Sequence, residues 1–142
     1  MKRIVPVGLL LLLSACHSGS STSLPTVPTA LTTVTFTGTV NLGSSDFHTF
    51  TVPLSGGELD ITLRAAGPPS TVFMGIYVGI PSTDGSTCTL INPSAFTVVQ
   101  AGTTPQLSGT INAGTYCVAV YDAQLPGNQT AAVSYTVTVA HV

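Results

Sequence analysis

Between Val34 and Val142 apolar and polar positions trade places with a period of two. Val34, Phe36, Gly38 and Val40 share one parity, and Thr35, Thr37 and Thr39 the other. This is the pattern of a strand with one face buried. After Asn41-Leu42-Gly43-Ser44-Ser45 it resumes, with His48, Phe50, Val52 and Leu54 opposite Thr49 and Thr51. Ser55-Gly56-Gly57 turns the chain again. Leu59, Ile61, Leu63 and Ala65 then face in, while Glu58, Asp60, Thr62 and Arg64 face out. Three amphipathic strands joined by short turns predict an antiparallel meander.

Gly67-Pro68-Pro69-Ser70 breaks the run, and residues 71–79 are apolar on both parities, as in a strand covered on both sides. Asp84-Gly85 marks a turn. A short strand over 86–91 carries Cys88, a brief one is expected over 96–100, and alternation returns over 106–111. After Asn112-Ala113-Gly114, a strand over 115–121 places Tyr116, Val118 and Val120 inward. Leu125-Pro126-Gly127-Asn128 turns into a last strand over about 131–140, with Val133, Tyr135, Val137 and Val139 on one face. Seven or eight short strands without a helical period predict an all-β fold, an antiparallel two-sheet β-sandwich.

The N-terminal part reads differently. Met1-Lys2-Arg3 is positive and Ile4 to Leu13 is apolar, a run too short to span a membrane. Leu13-Ser14-Ala15-Cys16 resembles the lipobox of bacterial lipoprotein precursors. The resemblance implies that residues 1–15 are a signal peptide and that Cys16, once first, carries a diacylglyceryl thioether and usually an N-acyl chain. Two or more chains anchor stably where one is marginal. The alternative is an ordinary secretory signal with a cysteine nearby. His17 stands where Asp commonly means inner-membrane retention in enteric bacteria. The expected location is therefore the bacterial cell envelope, lipid-anchored at the outer membrane. Residues 16–33 join this anchor to the domain at 34–142 as a Ser-, Thr- and Pro-rich tether, about 23 Å long as a random coil.

Charge then narrows the partners. Beyond Cys16 one cation, Arg64, faces five carboxylates, Asp46, Glu58, Asp60, Asp84 and Asp122, for a net −4 with neutral His. One cation cannot neutralise a run of phosphates, which excludes nucleic acid and docking on anionic lipid through a basic patch. Cys88 and Cys117 are an even pair for an oxidising compartment and predict a structural disulfide. No Cys-x-x-Cys spacing or clustered His supports a redox or metal pair.

Four stretches are similar to motifs of the bacterial pre-peptidase C-terminal domain. They are Asp46-Phe47-His48-Thr49-Phe50-Thr51-Val52-Pro53, Gly56-Gly57-Glu58-Leu59-Asp60-Ile61-Thr62-Leu63, Ala113-Gly114-Thr115-Tyr116-Cys117-Val118-Ala119-Val120, and Tyr135-Thr136-Val137-Thr138-Val139. The resemblance implies a β-sandwich of jelly-roll type and a non-catalytic accessory role beside secreted peptidases. Family members that bind calcium do so through carboxylates. Here Ser70-Thr71-Val72-Phe73-Met74 replaces the acidic stretch before the middle strand, which puts that site in doubt. Asp46, Asp84 and Asp122 are the remaining calcium candidates, and no other cofactor is expected.

Asp46 and His48, two apart on one strand, can share a side as an acid-base or metal pair; the bland account is a ring filling an aromatic site. Glu58, Asp60 and Arg64 are expected to pair on an exposed face, and His141 to lie near a frayed end. Tyr77 and Tyr121 offer rings to a sugar, although the chain has no Trp. Asn128-Gln129-Thr130 matches a glycosylation sequon. No nucleophile elbow, zinc-protease motif or phosphate-binding glycine loop is present, so no catalytic residues are nominated. The expectation is a non-catalytic, lipid-anchored binding or adhesion module with an envelope protein or polysaccharide as partner. An inert spacer and a calcium-stabilised accessory domain are the alternatives. A binding module should own an exposed aromatic cluster, and an inert one should be evenly coated with Thr and Ser.

Overall fold

The computed structural model describes residues 30–53 and 55–142. The signal peptide, the lipobox with Leu13, Ser14, Ala15 and Cys16, and the tether up to residue 29 lie outside the described residues. Nine strands follow: β1 (Thr32–Val40), β2 (Ser45–Val52), β3 (Gly57–Gly67), β4 (Met74–Pro81), β5 (Cys88–Leu90), β6 (Phe96–Val99), β7 (Leu107–Ile111), β8 (Gly114–Asp122) and β9 (Val133–His141). They form two antiparallel sheets. One has four strands in the order β1-β9-β3-β7; the other runs β2-β8-β4-β5, with β6 also pairing β4.

The predicted meander is overturned. β1 pairs with β9, β2 with β8, and β3 with β9 and β7. The pairs are nested like one long hairpin, with β4 against β5 and β6 innermost. Successive pairs go to alternate sheets, so the hairpin is rolled into a jelly roll. The turns after β1 and β2 are arches from sheet to sheet. The first is held to the end of β8: Gly43 N–H donates to Asp122 Oδ2 at 2.8 Å, and Asp122 N–H donates to Ser44 O at 3.0 Å. Gly43 and Gly56 take the left-handed backbone these arches require, at φ 65° and 58°. A period of two says which face is buried, not which strand is the neighbour.

The expected inward parities hold on β1, β2, β8 and β9. Ile61, Leu63, Met74, Ile76, Val118, Val120, Val137 and Val139 are fully enclosed between the sheets. β3 departs from its pattern at Thr62, expected outside but buried, and again after Leu63. The register against β9 shifts between Leu63 and Ala65, so Ala66 is buried and Ala65 exposed. On the other side of β3 the ladder with β7 ends at Ile61, and the Leu63 backbone groups that face that way find other partners. Gln106 Oε1 accepts from Leu63 N–H at 2.7 Å, and Gly102 N–H donates to Leu63 O at 2.8 Å. Arg64 faces outward as its parity predicts, and its Nη1 donates to Thr103 O at 2.9 Å. It makes no ion pair with Glu58 or Asp60, and Asp60 instead accepts from Ser108 Oγ.

His141 is not frayed. It closes β9 opposite Thr32 and Leu59, is 5% exposed, and lies against the Phe50 ring at 5.8 Å between centroids. β4 begins at Met74 rather than residue 71 and is covered on both sides, but its outer cover is local. Gly75 lies under the Tyr121 ring and Gly79 under the disulfide.

Candidate functional site

The outer face of the five-stranded sheet follows from strand register. β4 sends Met74, Ile76 and Val78 into the core, so Gly75, Tyr77 and Gly79 point out. On β8 the outward residues are Cys117, Ala119 and Tyr121, and β6 contributes Phe96 and Val98. Cross-strand pairing sets them in three rows. One row is Ser45, Tyr121, Gly75 and Val98; the next is Phe47, Ala119, Tyr77 and Phe96; the third is Thr49, Cys117, Gly79 and Leu90. None of these side chains is charged.

Two glycines shape the face. A Cβ at Gly75 would collide with the Tyr121 ring. Tyr121 therefore leans across the sheet into space that only glycine leaves open. A Cβ at Gly79 would meet Cys88 Sγ at 2.8 Å. The Cys88–Cys117 disulfide crosses there, joining β5 to β8 over the intervening β4, with 6.0 Å between the Cα atoms. The predicted bridge is thus present and belongs to this face.

Tyr77 and Tyr121 meet at 5.9 Å between ring centroids and 53° between planes, within the range of favourable aromatic pairs. Tyr77 Oη donates to Cys88 O at 2.8 Å, which fixes its ring. Burial, and then the neighbouring Tyr121, push the Tyr77 hydroxyl above its ordinary pKa; burial does the same to Tyr121. Both rings are neutral around pH 7. With Ser45, Leu90 and Phe96 they line a shallow hollow of about 390 Å³. Phe96 is 47% exposed and Leu90 and Val98 are each 39% exposed, an apolar rim without polar cover.

Another opening, of about 200 Å³, lies at the β7 edge, floored by Leu59, Val78, Ile91, Leu107 and Ile111 under a rim of Asn92, Ser94 and Ser108. It is the mouth of the core between the two sheets. Neither an aromatic ring nor a titratable group lines it, so it offers packing and little chemistry.

Asp46 and His48 are brought together, as their spacing suggested, but with a third member. Tyr135 Oη donates to Asp46 Oδ2 at 2.8 Å, and His48 Nε2 contacts the same hydroxyl at 3.0 Å. The His48 ring stacks on Phe36 at 4.8 Å. The cluster bridges β1, β2 and β9 across the side where the two sheets begin, and a Cβ at Gly38 would strike Asp46 and Tyr135. Burial, then the hydrogen bond to Asp46, raise the Tyr135 hydroxyl far above its ordinary value. A phenol held so firmly protonated is a latch donor and a poor base.

The three calcium candidates lie in three separate networks. Asp84 accepts from Ser82 Oγ, Ser86 N–H and Ser86 Oγ within its own turn. Asp122 is buried and accepts from Gly43 N–H and Gln124 N–H; Asp46 holds Tyr135. Among the described residues no three His, Cys, Asp or Glu side chains gather as a metal site. The Asn128 amide of the sequon is occupied on both sides, donating to Phe73 O and accepting from Phe73 N–H, each at 2.7 Å.

Of the residues singled out in the sequence, Tyr77, Tyr121, Cys88 and Cys117 thus share one face. Phe96, Val98 and Leu90 join them and were not expected there. The signal for Phe96 and Val98 was apolar residues on both parities of Phe96-Thr97-Val98-Val99, a short edge strand with an outer side to fill.

No protein-family model matches the chain, and no curated protein matches it. Among solved structures it is similar to the crystal structure of Aeromonas hydrophila PliG, a periplasmic lysozyme inhibitor of g-type lysozyme. The identity is 15% and the TM-score 0.44, over 84% of this chain and 93% of that one. A likeness at this level carries no argument about function.

Proposed function

We propose that this chain is a non-catalytic binding module of the bacterial envelope, tethered through Cys16, that offers the outer face of its five-stranded sheet to a partner. One observation carries the reading: Tyr77, Tyr121, Phe96 and Leu90 form an uncharged aromatic hollow with a rim exposed to water. Tyrosine rings with one apolar body and one polar tip are suited to contact sites of this kind. The motif resemblance to pre-peptidase C-terminal domains supports the same accessory, non-catalytic role.

Hydroxyl-radical footprinting tests it. On intact cells Tyr77, Tyr121 and Phe96 are expected to be protected relative to the purified full chain, and Thr35 and Thr37 on the opposite sheet to react equally in both. Equal labelling throughout overturns the reading. It would select the spacer alternative, which the other face favours: Thr33, Thr35, Thr37 and Thr39 on β1 are all exposed, beside Thr136 and Thr138 on β9. The anchor has its own test. Cys16→Ser is expected to abolish palmitate labelling and release the protein from membranes; unchanged labelling removes Cys16 as the lipid site.

A further inference from the structure

Building on the reading that the aromatic face binds, we infer that its occupant is a neutral polysaccharide, held as a short run of sugar rings against Tyr121 and Tyr77 and flanked by Phe96 and Leu90. Size argues for this first. Four strands about 4.8 Å apart and three rows roughly 6.7 Å apart make a patch on the order of 200 Å². A stable protein interface takes about 800 Å² from each partner. A second copy of this chain, or a folded protein, would find too little here, whereas a few pyranose rings cover it.

Charge argues next. The three rows contain no charged side chain. An acidic glycan or a charged peptide would desolvate its charges against rings that cannot pair them. A pyranose carries C–H groups on its faces and hydroxyls around its edge. Ring faces take the first, and Ser45 and Tyr121, which line the hollow, each carry a hydroxyl suited to the second.

The platform is also set before any ligand arrives. Tyr77 is pinned through Cys88 O, and Tyr121 rests over Gly75. Little side-chain entropy remains to be lost on binding, which favours affinity from a small contact.

The test is titration of the purified full chain in detergent with cello-, chito-, malto- and xylo-oligosaccharides, followed by calorimetry and amide chemical shifts, with polygalacturonate as the acidic probe. One neutral series is expected to bind and to shift the amides of Tyr121, Phe96 and Leu90. Tyr121→Ala and Phe96→Ser are expected to weaken it about tenfold each without unfolding the domain, while Thr37→Ala on the other sheet leaves it unchanged. Gly75→Ala removes no ring but displaces Tyr121, and is expected to weaken binding as well. Polygalacturonate binding as tight as the neutral sugars overturns the charge argument. Silence toward every neutral glycan, with Tyr121 and Phe96 still protected on cells, overturns the polysaccharide and leaves the face as a binding site. Silence with no protection overturns both.

Discussion

Asp84 sits in the turn after β4, where the Ser82 hydroxyl first, and then the Ser86 amide and hydroxyl, hold its carboxyl down to about 2. A carboxylate lowered in the folded state contributes stability above its ordinary pKa and loses it as pH falls toward the lowered value. Carbon-detected NMR is expected to show Asp84 titrating near pH 2, returning toward the ordinary range in Ser82→Ala. A midpoint near 4 in the parent would show those hydrogen bonds absent in solution. Tyr135 has the opposite sign. Its raised pKa means that its contribution is complete below the ordinary phenol value near 10 and is lost as pH rises beyond it. Tyr135→Phe is expected to cost about 1 kcal/mol at neutral pH and to flatten the fall in melting temperature above about pH 10. An alkaline limb identical to the parent's would rule out this latch. The Asp46–His48 half of the cluster was legible as two residues of one parity. Tyr135 was not, because it arrives 89 positions later through a pairing that no local pattern encodes.

β5 spans three residues and owes its place to what crosses it. The Cys88–Cys117 bridge has a sequence separation of 29, and closing such a loop contributes about 3.5 kcal/mol in the chain-entropy model. Cys88→Ala/Cys117→Ala is expected to lower the melting temperature accordingly and to speed amide exchange at Thr89 and Leu90 more than on β8. The variant should also weaken whatever binds the aromatic face, since Leu90 lines the hollow and Cys88 O fixes Tyr77. Uniform exchange changes on β5 and β8 would show that the bridge merely adds global stability. Most strands were readable from their alternation, within a few residues at each end. The bulge on β3 was not, because it is a shift of register against β9, a strand distant in sequence.

For the whole molecule, the nested pairing makes β9 its keystone: it lies between β1 and β3 and ties the last described strand to the first. Deleting residues 133–142 is expected to abolish the cooperative thermal transition, since among the described residues β1 loses its sole strand partner and β3 one of two. A truncated chain that still melts cooperatively would contradict the observed strand order. The two outer faces also differ in kind. Threonine covers much of the four-stranded sheet, and rings with a disulfide occupy part of the other. A threonine coat and an aromatic cluster, which point to different functions, stand on opposite sides of the one molecule.

Alternation and the number of short strands predicted an all-β, two-layer domain and most of the residues that fill the space between its sheets, though not which face of β4 turns inward. Those properties depend on side chains one and two positions apart, which the sequence displays directly. It also carried the pairing of two cysteines, since only two remain beyond Cys16. Strand order, the bulge, the glycines under Tyr121 and the disulfide, and the gathering of Phe96 and Leu90 beside Tyr77 were decided by tertiary structure. Each depends on which distant strand becomes a neighbour, and a two-residue period is the same whichever neighbour is chosen.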